Sequence, residues 1–246
     1  MPVKLGSLIH EILIDQHTTT SKPYSVSSQA DQISLALSHQ RFSPFIKVTA
    51  LECTDIPLSQ SIIEFAQQAI TQNYQKLILI PVFLSAGVHV LEDIPEELSQ
   101  AKRVLGNAIE LELTDYVGNF PHMRNLVANR FEKFGSAGKI ILAHGSRLRK
   151  GNVAVENLAK ALEAMNAYWT IEPDLPEIVK QLVAQGKTSI IIVPYFLFVG
   201  RITDNISSQV LEMQKEFPDN RLLLDSPLGA SRELALVIAS QIKKYL

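Results

Sequence analysis

One stretch near the middle of the chain, residues 81–95, most restricts what this chain can fold into. The apolar residues 77–80 lead into it, and a short, β-branched run bounded by a proline is typical of a buried central strand. Gly87 then predicts a turn, which places His89 just past the carboxyl end of that strand. Because open α/β sheets bind ligands at that edge, the stretch predicts both a parallel sheet and a candidate site.

The elements around this stretch occur twice in the same order, which indicates an internal duplication. Matching segments of the first and second repeats are residues 12–20 and 139–147, 48–57 and 167–176, 81–95 and 194–206, and 115–118 and 225–229. Residues 12–16 and 139–143 are each predicted as a strand that runs into a polar loop. Amphipathic helices are predicted over residues 61–72, 121–134, 176–185 and 231–245.

The alternation of strands and helices predicts parallel sheets with helices on both faces. A small flexible run at residues 135–138 is suited to a linker between the repeats. We therefore predict two flavodoxin-like α/β halves, residues 1–135 and residues 136–246. The halves are expected to face each other across a central cleft, which is the natural place for a ligand.

Composition excludes several classes of protein. No apolar run approaches the roughly 18 residues that span a bilayer, and the amino terminus lacks the apolar core of a signal peptide. The missing signal disfavours a periplasmic ligand-binding protein. A formal net charge of -2 argues against nucleic acid as the main partner. The single cysteine, Cys53, rules out an internal disulfide, so we expect a reducing, cytoplasmic compartment and no membrane partner.

Three side chains that can bind a metal ion, His17, Glu52 and His89, are predicted at the carboxyl ends of different strands in the first half. Two imidazoles and one carboxylate suit borderline divalent ions, and three protein ligands leave positions open for exchange or substrate. Each residue alone also has a structural explanation: a helix cap for His17, an ion pair for Glu52 and a hydrogen bond in the turn for His89. The coincidence of three at one sheet edge favours a joint site.

The second half offers fewer donors. His144 and Glu172 occupy the matching places, but Arg201 stands near the position where a second histidine is expected. This half is therefore predicted to be structural, or to form a wall that binds an anionic ligand, with Arg147 and Arg201 as candidate cations.

Two acidic residues, Glu92 and Asp93, follow His89 in the first turn of the next predicted helix. There they would interact favourably with the helix dipole, which is the interpretation we prefer. Attraction of an incoming metal ion is the alternative.

Two motifs give the chain a family resemblance. The sequence from Phe83 to Pro95, with its Gly-Val-His and Glu-Asp-Ile-Pro segments, and the later Ala-His-Gly-Ser-Arg at residues 143–147 resemble those of the sirohydrochlorin chelatases. The resemblance covers nearly the whole chain, including the duplicated long form. It implies a chelatase-like fold and ATP-independent insertion of Co²⁺, Fe²⁺ or Ni²⁺, as substrate, into a tetrapyrrole, with no organic cofactor.

The same resemblance implies roles for individual residues. His17 and His89 match the metal-binding histidines of the family, and Glu52 matches its acidic residue. We expect these residues to hold the ion while one histidine accepts pyrrole protons, since an imidazole with a pKa of about 6.5 suits that task. His144, Arg147 and Arg201 are expected to meet the tetrapyrrole.

The chain departs from the family pattern around His17. The family has His-Gly-Ser-Arg at this place, whereas here the histidine is followed by Thr18, Thr19 and Thr20. This change leaves three readings open: an altered substrate or metal, a weakened enzyme, or a shifted alignment. It also keeps a rival function open, a non-catalytic tetrapyrrole or metal carrier on the same fold. For the oligomeric state, a monomer or a homodimer is expected.

Overall fold

The computed structural model describes residues 2–19, 45–52, 54–135 and 137–245, and in the first of these segments the side chains of residues 4–13. The helices are α1 (Pro2–Thr19), α2 (Leu58–Thr71), α3 (Ile94–Leu105), α4 (Met123–Glu132), α5 (Arg149–Ala161), α6 (Leu175–Ala184), α7 (Arg201–Glu216) and α8 (Arg232–Ile242). The strands are β1 (Lys76–Leu79), β2 (Glu110–Leu113), β3 (Gly138–Ala143), β4 (Met165–Tyr168), β5 (Ser189–Pro194) and β6 (Arg221–Leu224). Cys53 lies outside the described residues.

The second half contains a four-stranded parallel sheet in the order β4-β3-β5-β6. This order is flavodoxin-like, as predicted. The sheet is buried on both faces, which explains the continuous isoleucine run of β5. Ile190 and Ile192 pack against α6 and α7, while Ile191 and Val193 pack on the opposite side with α4, α5 and α8.

The described part of the first half contains a two-stranded parallel sheet, β1 with β2, paired from Lys76 opposite Glu110 to Leu79 opposite Leu113. Helices α2 and α3 pack on each other and on this sheet through a shared apolar cluster. The strand predicted over residues 77–80 and the helix predicted over residues 61–72 are both confirmed in position to within a few residues. The prediction that this strand is buried and central is wrong for the described part of the chain, where β1 is exposed or half-buried and pairs with β2 alone. The three other predicted helices are confirmed as α4, α6 and α8.

The strand predicted over residues 12–16 is wrong, because this segment belongs to helix α1. The buried residues Leu5, Ile9, Ile12 and Leu13 recur at i, i+4, i+7 and i+8, which is the spacing of one helical face. That face packs against α8, near the other end of the chain. His17 therefore lies in the last turn of a helix rather than beyond a strand, and its side chain is outside the described part of the chain.

The last helix of the first repeat packs on the sheet of the second. In α4, the buried residues Met123, Val127 and Phe131 share one apolar cluster with Ile191 and Val193 of β5. The same helix contacts α8. The two repeats are thus joined through a common core, while the division at residues 135 and 136 stays a prediction. No helix in the described segments is long and apolar enough to cross a membrane.

A close backbone contact requires glycine at position 118. Gly118 donates its N–H to the carbonyl oxygen of Phe83 at 2.8 Å. A methyl group built on Gly118 would lie 2.5 Å from the carbonyl carbon of Leu84 and 2.7 Å from its Cα atom. Because these are backbone atoms, the whole loop would have to move. We expect Gly118→Ala to lower the free energy of unfolding by about 1–3 kcal/mol in urea denaturation.

Gly87, in the same region, provides the matched control for this variant. A methyl group on Gly87 meets no atom within 4 Å, so Gly87→Ala adds the same group without a clash. It should leave the free energy of unfolding within about 0.5 kcal/mol of the wild-type value. Equal losses in the two variants would contradict the steric explanation for Gly118.

Candidate functional site

A cleft of about 180 Å³ lies between the two halves, where the carboxyl ends of the parallel strands meet. From the first half it is lined by the residues that follow β1, namely Phe83, Leu84 and Ser85. From the second half it is lined by residues at or after the ends of β3, β4 and β5 and by the start of α5: Ala143, His144, Gly145, Gly151, Asn152, Val155, Tyr168, Tyr195, Phe196 and Leu197. The cleft predicted between the halves is therefore present.

His89 adjoins this cleft through Phe83, whose ring centroid lies 5.9 Å from that of the imidazole. The residue opens a π-helical turn, His89–Asp93, in which the N–H of Ile94 donates to the His89 carbonyl. Such turns are rare in proteins, and many of those that occur lie at functional sites. The turn leads directly into α3, and the buried Ile94 and Leu98 anchor that helix in the core. The imidazole is thus held at the sheet edge by a well-packed element while its side chain stays 43% exposed.

Both ring nitrogens of His89 face carboxylates. Nδ1 lies 2.7 Å from Oδ2 of Asp93, within hydrogen-bond distance. Nε2 lies 3.8 Å from Oε1 of Glu52, which is too long for a hydrogen bond. Glu52 lies in a bend, and the described residues 45–52 form no strand, so the strand predicted to end at Glu52 is wrong. Its side chain is 69% exposed. The structure therefore brings together two of the three predicted donors, Glu52 and His89.

The third predicted donor, His17, has no described side chain, so its place relative to this pair stays a prediction. Among the side chains that the structure describes, no three histidine, cysteine or acidic groups are placed to hold one metal ion together. The described site thus has two candidate metal donors, Glu52 and His89. Asp93 lies within hydrogen-bond distance of the other ring nitrogen of His89.

Of the residues predicted to meet a substrate in the second half, His144 lines the cleft. It follows β3, and its carbonyl oxygen accepts a hydrogen bond from the Thr170 hydroxyl at 2.9 Å. Gly145 follows it with a φ of +85°, a conformation that favours glycine. Arg147 and Arg201 are exposed, and neither belongs to the described lining of the cleft.

Two tyrosines give the cleft a neutral, apolar wall. Burial raises the pKa of Tyr195, and a smaller effect comes from the charge of Tyr116. Burial also raises the pKa of Tyr168 to about 12, with a further contribution from the negative charge of Glu156. Both phenols are therefore protonated at neutral pH, and the wall they form carries no charge of its own.

Sequence reasoning missed two parts of this site. The helix-dipole interpretation of Asp93 overlooks that a carboxylate four residues after a histidine is a signal for a side-chain pair across one helical turn. No sequence signal marks Tyr168 and Tyr195, because apolar strand ends next to aromatic residues are common in ordinary cores. Their place in the lining of the cleft follows only from the three-dimensional fold.

The chain matches the model of a known protein family over most of its length. The model of the CbiX family matches residues 21–134 and, a second time, residues 138–245. His17 precedes the first of these matches, whereas His144 lies inside the second.

Among curated proteins, the sirohydrochlorin ferrochelatase of Arabidopsis thaliana chloroplasts is 33% identical over 119 residues, which cover 44% of this chain and 52% of that protein. The chain thus spans about half the length of this plant relative. The sirohydrochlorin cobaltochelatase of Methanopyrus kandleri is 26% identical over 136 residues, covering 44% of this chain and 95% of that protein.

Two solved structures share the fold. SirB from Bacillus subtilis with Fe³⁺ has a TM-score of 0.69 at 18% identity, and the match covers 90% of this chain and 91% of that one. The sirohydrochlorin chelatase SirB from Bacillus subtilis subspecies spizizenii in complex with cobalt has a TM-score of 0.65 at 18% identity, with the same coverage. At this level of identity the likeness shows the chelatase-like α/β fold, as predicted.

Proposed function

This chain belongs to the CbiX family in its two-repeat form, and from that membership we propose that it inserts a divalent metal ion into sirohydrochlorin without ATP. The observation that carries the proposal is the pairing of His89 with Glu52 at the edge of the sheet, beside the cleft between the halves. A metal ion held there lies next to the place where a flat substrate can enter.

The geometry of the pair suits temporary binding of an ion that is itself a substrate. Bonds of about 2.0–2.2 Å from a metal ion to an imidazole nitrogen and to a carboxylate oxygen fit two donors that are 3.8 Å apart. Both side chains are substantially exposed, so water and substrate nitrogens can reach the ion. An open site of this kind releases its ion more readily than a closed one. His17 stays a proposed third donor.

Insertion also requires two protons to leave the pyrrole nitrogens for each divalent ion that enters. When the ion passes to the macrocycle, it frees the lone pair of His89 Nε2 and an oxygen of Glu52. Each of these two groups then accepts one proton, which balances the reaction before both protons pass to water. The same two side chains therefore serve first as ligands and then as bases.

The second half supplies the opposite wall of the cleft. His144 lies on that wall, and we assign Arg147 and Arg201 to the carboxylates at the rim of the tetrapyrrole, because guanidinium groups bind carboxylates with two parallel hydrogen bonds. The neutral wall at Tyr168 and Tyr195 suits the apolar face of a macrocycle.

We propose iron or cobalt as the metal, since the relatives include a ferrochelatase and a cobaltochelatase and the similar structures contain Fe³⁺ and cobalt. Nickel is the third candidate. We place the protein in the cytoplasm, as a monomer or a homodimer.

An anaerobic assay tests the proposal against the carrier alternative. The purified full chain, at a small fraction of the substrate concentration, is mixed with sirohydrochlorin and Co²⁺, Fe²⁺ or Ni²⁺ in parallel, and the absorbance of the tetrapyrrole is followed. An enzyme converts many equivalents of substrate per chain and exceeds the rate without protein. A carrier changes the spectrum by one equivalent at most, and that result would refute catalysis.

A further inference from the structure

The hydrogen bond between Asp93 and Nδ1 of His89 gives Asp93 a role beyond that of a negative charge near the site. We propose that Asp93 is a positioning residue, which holds the proton of the neutral His89 imidazole on Nδ1 and directs the lone pair of Nε2 toward Glu52. The inference rests on the proposed function, because it assigns to Asp93 the task of preparing His89 to receive the metal ion.

The protonation pattern follows from the chemistry of the two groups. A neutral imidazole carries one N–H donor and one acceptor nitrogen, whereas an ionised carboxylate can only accept. Since Nδ1 lies 2.7 Å from Asp93 Oδ2, the stable arrangement has the proton on Nδ1 and leaves the lone pair on Nε2. Only a nitrogen with a free lone pair binds a metal ion, and Nε2 is the one that faces Glu52 across 3.8 Å.

The fold holds Asp93 firmly in this position. Asp93 ends the π-helical turn that His89 begins, and α3 starts at the next residue, Ile94. Ile94 and Leu98 are buried in the core of the first half, so the backbone below the carboxylate is anchored. The Phe83 ring lies beside the imidazole, with a centroid distance of 5.9 Å. The pair is thus preorganised before any ion arrives.

The adjacent residue Glu92 separates this role from a purely electrostatic one. Glu92 lies in the same turn and carries the same charge, and it is exposed. If acidic residues here served only the helix dipole or the attraction of cations, removal of either charge would have a similar effect. If Asp93 acts through its bond to Nδ1, removal of the Asp93 charge changes the protonation of His89, whereas removal of the Glu92 charge does not.

The test compares the wild-type full chain with Asp93→Asn, Glu92→Gln and His89→Ala. Nitrogen-15 NMR of the metal-free protein, at a pH where the imidazole is neutral, reports which ring nitrogen of His89 carries the proton. We expect the proton on Nδ1 in the wild type and in Glu92→Gln. We expect a shift toward Nε2–H in Asp93→Asn, because an amide can donate to Nδ1 as well as accept from it.

Binding of Co²⁺, followed by its visible absorbance, gives the second measurement. Loss of a partner behind a metal-binding histidine typically weakens metal affinity about 10–100-fold, and we expect that loss in Asp93→Asn but not in Glu92→Gln. A wild-type His89 with its proton on Nε2, or equal Co²⁺ affinities in Asp93→Asn and Glu92→Gln, would overturn the inference. Unchanged Co²⁺ affinity in His89→Ala would also overturn it, because Asp93 is proposed to act through that ligand. If the wild-type chain binds Co²⁺ but does not insert it into sirohydrochlorin, the proposed function fails instead, so the two failures are distinguishable.

Discussion

Replacement of His89 by alanine is expected to abolish insertion of Co²⁺ into sirohydrochlorin while the fold stays intact. The variant removes one ligand of the ion and, in the proposed mechanism, one of the two groups that accept pyrrole protons. General-base contributions alone are worth about 10²–10⁴-fold, so we expect a loss of at least about 100-fold in turnover. The side chain is 43% exposed, and its removal should change the free energy of unfolding by only about 0.5 kcal/mol.

His122→Ala is the matched control for this experiment. It also removes an imidazole, but one at the start of α4, where His122 Nδ1 lies 3.1 Å from the Ser240 hydroxyl. Its turnover should equal that of the wild type, whereas circular dichroism should show both variants folded. Wild-type turnover in His89→Ala would contradict the assignment of the site.

Local patterns were sufficient for most of the fold. The apolar run at residues 77–80 indicated the position of β1, because a short, β-branched run bounded by a proline is typical of a strand. Amphipathic spacing likewise identified α2, α4, α6 and α8. In each of these cases the residues that decide the structure lie within the element itself.

Helix α1 shows where local patterns fail. Three consecutive apolar residues at positions 12–14 fit a strand as well as a helix, and the duplication favoured a strand. The helical face formed by Leu5, Ile9, Ile12 and Leu13 gains its burial from α8, which lies at the far end of the sequence. The i, i+4, i+7, i+8 spacing of these residues is itself a helical signal. The contact that buries the face joins distant segments, and it cannot be derived from either segment alone.

Part of the candidate site was predictable from the sequence, and part was not. The place of His89 follows from parallel topology, because this residue lies beyond β1 at the carboxyl edge of the sheet. The approach of Glu52 does not, since Glu52 ends no strand and its position depends on the course of residues 45–52. The bond between His89 and Asp93 depends on a π-helical turn, and short sequence patterns do not reveal such turns. His17 illustrates the remaining limit, since its proposed role depended on a strand that is a helix.

Replacement of Arg130 by methionine is expected to produce the largest loss of stability. Arg130, on α4, donates to Asp225 Oδ2 at 2.9 Å and to the Ser226 carbonyl at 2.8 Å. The two charged side chains are only 13% and 16% exposed. Removal of one partner leaves Asp225 nearly buried without its counter-charge, which costs about 3 kcal/mol. Urea unfolding should show this loss as a lower midpoint.

The double variant Arg130→Met with Asp225→Leu tests the physical reason for that loss. If the cost comes from an unpaired buried charge, removing the second charge should recover much of the stability, since apolar replacements of buried pairs are often nearly neutral. Lys215→Met supplies the exposed control: its pair with Glu212 is about 70% exposed on both sides, and its loss should cost less than about 1 kcal/mol. Equal costs for Arg130→Met and Lys215→Met would contradict the argument. The ion pair also holds the loop after β6 against α4 of the first repeat. In that loop, Leu228 donates its N–H to the carbonyl oxygen of Phe196, a residue that lines the cleft. The contact between the repeats and one wall of the cleft therefore depend on the same loop.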